Sequence, residues 1–141
     1  MTMGEKLKHL KEISKDVEIL FVEDSDNVRI GTYNILKSFF DKIATAKDGL
    51  SGLDVYRYAY EQFKSYKIIV TDVNMPIMNG LEMIREIKKL NPNQKTVVIS
   101  ACEDNETINK AKDLGVDKYI VKPIELASII ETFTNILEEK E

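Results

Sequence analysis

Cysteine is almost missing from this chain. Cys102 is the only one in 141 residues. That excludes an intrachain disulfide framework and suits a reducing compartment. Histidine is as scarce: His9 stands alone and reads as a solvated side chain. No apolar run approaches the roughly 20 residues that span a bilayer. Residues 1–16 are lysine-rich and lack the apolar core of a secretory signal. No GxxxxGK[ST] loop is present, which removes that type of nucleotide binding. Nor does one charge dominate: 24 acids against 20 bases give −4. So mild a balance argues against a large nucleic-acid footprint, which needs clustered positive charge. There is no internal repeat, low-complexity segment or interdomain linker. The reading is a cytoplasmic protein without membrane insertion or direct nucleic-acid binding.

What remains is the balance of an ordinary folded domain, 43% apolar and 31% charged. At this length one domain with a real core is expected. Strand and helix signals alternate five times. The strand candidates are Val17–Val22, Lys42–Ala46, Lys67–Asp72, Lys95–Ser100 and Asp117–Val121. The third and fourth contain Ile68-Ile69-Val70 and Val97-Val98-Ile99, runs that suit strands buried on both faces of a parallel sheet. Helical spacing links Val28, Thr32, Ile35, Leu36 and Phe39; then Leu53, Tyr56, Tyr60 and Phe63; then Ile84, Ile87 and Leu90. It links Ile108, Ala111 and Leu114, and finally Leu126, Ile129, Ile130, Phe133, Ile136 and Leu137. Asp26 offers a cap for the first of these helices, and Gly115 an end for the fourth. Met75, Met78 and Met83 read as loop and core packing.

Five βα units predict a three-layer α/β/α sandwich, (βα)5 and flavodoxin-like, with a parallel five-stranded sheet in the order 2-1-3-4-5. That order sets strands 1 and 3 side by side at the switch point where such sheets bind ligands. The residues at the strand ends then matter. Glu23 and Asp24 follow the first strand, Asp72 ends the third, Ser100 the fourth, and Lys122 follows the fifth. Three carboxylates, a hydroxyl and an ammonium on one sheet edge describe a place for a divalent metal and a phosphoryl group. Residues 1–16 precede all this as an N-terminal extension, with 17–141 as the domain. Met3, Leu7, Leu10 and Ile13 fall near helical spacing, with lysines mostly between them. A short docked amphipathic helix and a frayed terminus both fit.

Glu23-Asp24, Asp72 with Met75-Pro76-x-Met78-x-Gly80, Ser100-Ala101 and Lys122-Pro123 occur in order, each at a strand end. In this the chain resembles the CheY-like receiver domain of bacterial response regulators, over about Val17 to Glu139. The resemblance implies that Asp72 is the phosphoacceptor, supplied by a sensor histidine kinase or a phosphotransfer protein. It implies Mg2+ held by Glu23, Asp24, Asp72 and the backbone carbonyl of Asn74, one of the acid pair binding through water. Lys122 would face a phosphoryl oxygen, after a cis Lys122–Pro123 bond. Ser100 and Tyr119 would form a switch that reshapes the surface of helix 4, strand 5 and helix 5 of the five βα units, for an output partner protein. Cys102 would lie at the rim of the site.

Independently of the resemblance, three crowded acids repel one another unless a cation screens them. Mg2+ prefers such oxygen ligands. An aspartyl-phosphate hydrolase is the competing enzyme reading, but its second acid would fall at Asn74, which exchanges no proton. A flavodoxin-like flavin binder would need a hydroxyl- and glycine-rich loop where Glu23-Asp24 stand. A receiver working without phosphate is at odds with the intact residue set. Beginning at Met1 and ending just after the last helix, the chain is expected to be a stand-alone regulator rather than an excised piece.

Overall fold

Apolar residues on successive positions of the first strand face opposite ways, and this alternation organises the molecule. In the computed structural model, which describes residues 1–139, the elements run α1 (Met3–Ile13), β1 (Glu18–Val22), α2 (Asp26–Lys37), β2 (Lys42–Ala46), α3 (Gly49–Glu61), β3 (Ile68–Thr71), α4 (Gly80–Leu90), β4 (Lys95–Ser100), α5 (Asn105–Asp113), β5 (Lys118–Val121) and α6 (Leu126–Leu137). The five strands pair in parallel in the order β2-β1-β3-β4-β5. The expected fold class and strand order are therefore those observed.

Ile19 and Phe21 of β1, with Ile68, Val70, Val97 and Ile99, meet Leu36 of α2 and Ile129, Ile130 and Phe133 of α6. Leu20, Val22 and Ile69 point the other way, onto Leu53 and Tyr56 of α3 and Met83 and Ile87 of α4. Val98 continues that second layer with Ile84 and Ala111. The period of two along each strand thus gives both faces a buried row, as a doubly covered parallel sheet requires. Phe40 and Phe133 pack edge to face at 5.1 Å, the arrangement favoured by the ring quadrupoles.

Residues 3–13 form a helix that is part of this packing. Thr2 and Glu5 close its first turn with a capping box. Leu10 is fully buried in the cluster that holds Phe40 and Phe133, and the Ser14 hydroxyl donates to the Phe39 carbonyl at 2.6 Å. His9 is not free in solvent as its sequence position suggested: its Nε2 lies 3.0 Å from Glu138 Oε2. Such a pair, 129 residues apart, leaves no local signal.

Three other local expectations need correction. The cap of α2 is Ser25, whose Oγ accepts from the Val28 N–H. Asp26 is instead the first helical residue and pairs with Arg29 at 2.6 Å, and this partner holds its carboxyl below the usual range. Strands β1, β3 and β5 begin one residue later than expected, and β3 ends one residue earlier. Finally, Phe63 does not join Leu53 and Tyr56 on the buried face of α3, because the helix ends at Glu61. Gly115 does end α5, at φ +80° just past the Leu114 cap.

Candidate functional site

Sheet register decides which side chains meet. Val22 is paired with Thr71, so the next residues, Glu23 and Asp72, emerge side by side from the carboxyl edge. Ser100 is paired with Val121, and the Lys122 N–H donates to the Ser100 carbonyl at 2.8 Å. The lysine therefore leaves the same edge. Its Nζ lies 3.3 Å from Glu23 Oε1 and 3.8 Å from Asp72 Oδ2. The Lys122–Pro123 bond is cis.

Glu23, Asp24 and Asp72 each offer a carboxylate oxygen, and these three oxygens lie within 4.8 Å of one another. Glu23 is only 2% exposed, while Asp24 is exposed and Asp72 half-buried. Burial pushes the Glu23 carboxyl above the usual carboxylate range. The Ser25 N–H, 3.2 Å away, and the Lys122 ammonium oppose that rise, and the Asp72 charge adds to it. A buried carboxylate beside two others is poorly served by one lysine. An all-oxygen donor set of this kind matches a hard divalent cation such as Mg2+.

Asp72 is anchored on one side only. Its Oδ1 accepts from the Val73 N–H at 2.7 Å, so Oδ2 is the oxygen beside Lys122. The Thr71 hydroxyl donates to the Asp72 carbonyl at 2.8 Å. Asn74 is exposed in the loop that follows. Ser100 is fully buried, and its Oγ accepts from the Cys102 N–H at 3.1 Å. Tyr119 is half-buried and donates its hydroxyl to the Cys102 carbonyl at 2.8 Å. Its phenol is pushed up, chiefly by burial. Cys102 thus links the serine and the tyrosine through its own backbone.

The loop from Asp72 to Asn79 is fixed by contacts that the motif alone does not reveal. Asn79 caps α4 in a capping box with Glu82. The Met78 N–H donates to the Pro76 carbonyl at 2.8 Å across Ile77, whose φ is +70°. This is a γ-turn of the rare positive-φ kind, strained for a β-branched residue. Ile77 is 81% exposed, so its side chain brings little compensating burial. Ile77→Asn is expected to raise unfolding stability by about 1 kcal/mol in urea titration, since asparagine tolerates this region better. An unchanged or lower midpoint would show that the turn relaxes at no cost.

Sequence reasoning missed Arg29. Its Nη1 donates to the Glu23 carbonyl at 3.1 Å while Nη2 holds Asp26. The guanidinium therefore braces the β1–α2 turn that carries two of the three acids. Its position one turn into α2 was the only available cue.

Comparison with known proteins gives the family. Residues 19–134 match the response regulator receiver domain, and the chain belongs to that family. It is 32% identical over 121 residues to the chemotaxis protein CheY of Treponema pallidum, covering 85% of this chain and 82% of that protein. It is 37% identical over 116 residues to the response regulator protein VraR of Staphylococcus saprophyticus. That alignment covers 82% of this chain but 54% of VraR, so the chain spans about half of that relative. Among solved structures, the CheX–CheY–BeF3–Mg complex from Borrelia burgdorferi matches with a TM-score of 0.79 at 23% identity, over 91% of this chain and 94% of that one. The last likeness is one of fold. No helix among the described residues is long and apolar enough to cross a membrane.

Proposed function

We propose that this receiver accepts a phosphoryl group on Asp72 from the phosphohistidine of a sensor kinase or phosphotransfer protein. The observation that carries the reading is the meeting of three carboxylates within 4.8 Å with a lysine ammonium under 4 Å from two of them. An Asp72 carboxylate oxygen attacks phosphorus, the phosphorus–nitrogen bond to the donor histidine breaks, and an acyl phosphate forms. Lys122 exchanges its hold on Glu23 for a phosphoryl oxygen, as a compact point charge can. Glu23, Asp24, Asp72 and the Asn74 carbonyl would hold Mg2+, which supplies charge neutralisation for the transferred oxygens. Asn74 carries no acid, so turnover of an outside phosphoester is not its chemistry. Loss of the phosphoryl group to water resets the domain.

The output follows from Ser100 and Tyr119. The buried Ser100 hydroxyl turns to a phosphoryl oxygen and releases the Cys102 N–H. Tyr119 then gives up the Cys102 carbonyl and moves inward, and the surface of α5, β5 and α6 changes shape for a protein partner. We read the setting as cytoplasmic.

Incubation with Mg2+ and a small phosphodonor tests the core of this. The expected result is a mass gain of one phosphoryl group, abolished by chelation. A mass unchanged under both conditions would overturn the proposal.

The raised Glu23 carboxyl gives a second expectation. A metal ligand must be deprotonated, and Glu23 takes up its proton at higher pH than a solvated carboxylate. Magnesium affinity, titrated by calorimetry, is therefore expected to begin falling on acidification at a higher pH than ordinary carboxylates would give. Without metal the sign on stability follows. The folded chain binds this proton more tightly than the unfolded one, so stability falls as pH rises through the folded Glu23 pKa. Glu23→Gln should flatten both profiles. Unaltered profiles in that variant would remove Glu23 from the metal site.

A further inference from the structure

The end of α3 carries an aromatic ring where local physics asks for glycine. The Lys64 N–H donates to the Ala59 carbonyl at 2.9 Å and the Phe63 N–H to the Tyr60 carbonyl at 3.1 Å. These two bonds complete a Schellman motif, with Phe63 at its left-handed position, φ +58°. Glycine adopts that conformation without steric penalty, and a phenylalanine does not. The ring gains nothing in return from the fold, because Phe63 is 100% exposed. It belongs to none of the core clusters. Tyr60, one turn earlier and partly stacked on Tyr56, is 46% exposed. A strained backbone and an exposed aromatic at one residue are unfavourable twice over for folding, which points to use by another molecule.

The occupant can be narrowed by size and charge. Phe63 and the exposed part of Tyr60 offer on the order of 300 Å² of aromatic surface. A standard interface takes about 800 Å² from each partner. The patch is too small to hold a second copy stably and suits a short segment. Between residues 57 and 67 the chain carries Arg57, Lys64 and Lys67 against Glu61; Glu18 faces Tyr66 from β1, and Glu86, which faces Arg57 from α4, is paired with Lys89 at 2.7 Å. In a chain of net charge −4, this end is locally positive. We propose that the C-terminal end of α3 is a docking surface for a short acidic segment of a partner protein, with an apolar residue that covers the Phe63 ring. It stands apart from the Asp72 edge and does not depend on phosphoryl transfer.

The test uses the full chain and the variant Phe63→Gly, which is suited to its backbone and so folds. Its melting temperature is expected to rise by roughly 2–4 °C. A display library of short random peptides is selected on the wild type. Enriched peptides should carry an aromatic or aliphatic residue flanked by Asp or Glu. They should bind Phe63→Gly at least about tenfold more weakly, as loss of an aromatic anchor gives, and Lys64→Glu more weakly than the wild type. Three results would overturn the proposal: no enrichment, enriched peptides that bind wild type and Phe63→Gly equally, or enrichment of basic sequences. Sedimentation showing self-association that Phe63→Gly abolishes would do so too, by assigning the patch to a second copy.

Discussion

Asp72→Asn is expected to take up no phosphoryl group at all under conditions in which the wild type gains one. Asparagine is nearly the same shape, so its side-chain oxygen can still accept from the Val73 N–H, as Oδ1 of Asp72 does. What is lost is the nucleophile, because a neutral amide does not form the acyl phosphate. The same change removes one of the three crowded carboxylates and the negative partner 3.8 Å from Lys122. Magnesium affinity should fall with it, by at least about tenfold, since a coordinating charge has gone. Stability without metal should rise or hold, because repulsion with the buried Glu23 has been relieved. The combination is diagnostic: a misfolded variant would lose phosphorylation and stability together. Intact mass, magnesium calorimetry and urea titration on one preparation separate the cases. A phosphoryl gain in Asp72→Asn would move the acceptor to another residue.

Much of this fold is legible in the sequence because parallel strands buried on both faces announce themselves. Ile68-Ile69-Val70 and Val97-Val98-Ile99 have no polar interruption, and each is a strand of the sheet. The one-residue slips at strand ends have a simple origin. Lys67 still donates its N–H to the Glu18 carbonyl, so the apolar pattern and the ladder stop at different places. The gathering of Glu23, Asp72 and Lys122 is legible only once a strand order is chosen. No residue near Asp72 indicates that Val22 will be its neighbour's partner across β1.

What stays hidden is of two kinds. Contacts between distant positions, such as His9 with Glu138 or Lys122 with Glu23, depend on the completed fold. Backbone hand is the other. Helical periodicity places Phe63 on the buried face of α3 because it assumes that the helix continues. The chain instead turns left-handed at that residue, and the ring swings out of register with Leu53 and Tyr56. Ile77 is hidden in the same way: its sequence neighbours mark a loop, but nothing in them marks a positive φ.

Gly80→Ala is expected to be the most disruptive single methyl in the chain. A Cβ built on Gly80 would sit 1.9 Å from the Asp72 carbonyl oxygen and 3.1 Å from the Thr71 hydroxyl. The obstacle is backbone, so no rotamer change relieves it. The Gly80 N–H donates to the Val73 carbonyl at 2.9 Å, which ties the start of α4 to the residue after Asp72. To admit the methyl, either that bond breaks or the Asp72 peptide rotates. The loss of unfolding stability should be about 3 kcal/mol or more, at the upper end of overpacking effects. Any folded fraction should accept phosphoryl groups poorly, because the carboxylate is displaced relative to Lys122. Gly31→Ala is the matched control. It places the same methyl inside α2, where a Cβ meets nothing within 4 Å, and should stabilise the protein by about 0.5–1 kcal/mol through helix propensity. The two substitutions differ only in what the added carbon meets, so urea midpoints moving in opposite directions are the expected reading. If both moved alike, the close approach of Gly80 to the Asp72 peptide would not be what shapes the acceptor loop.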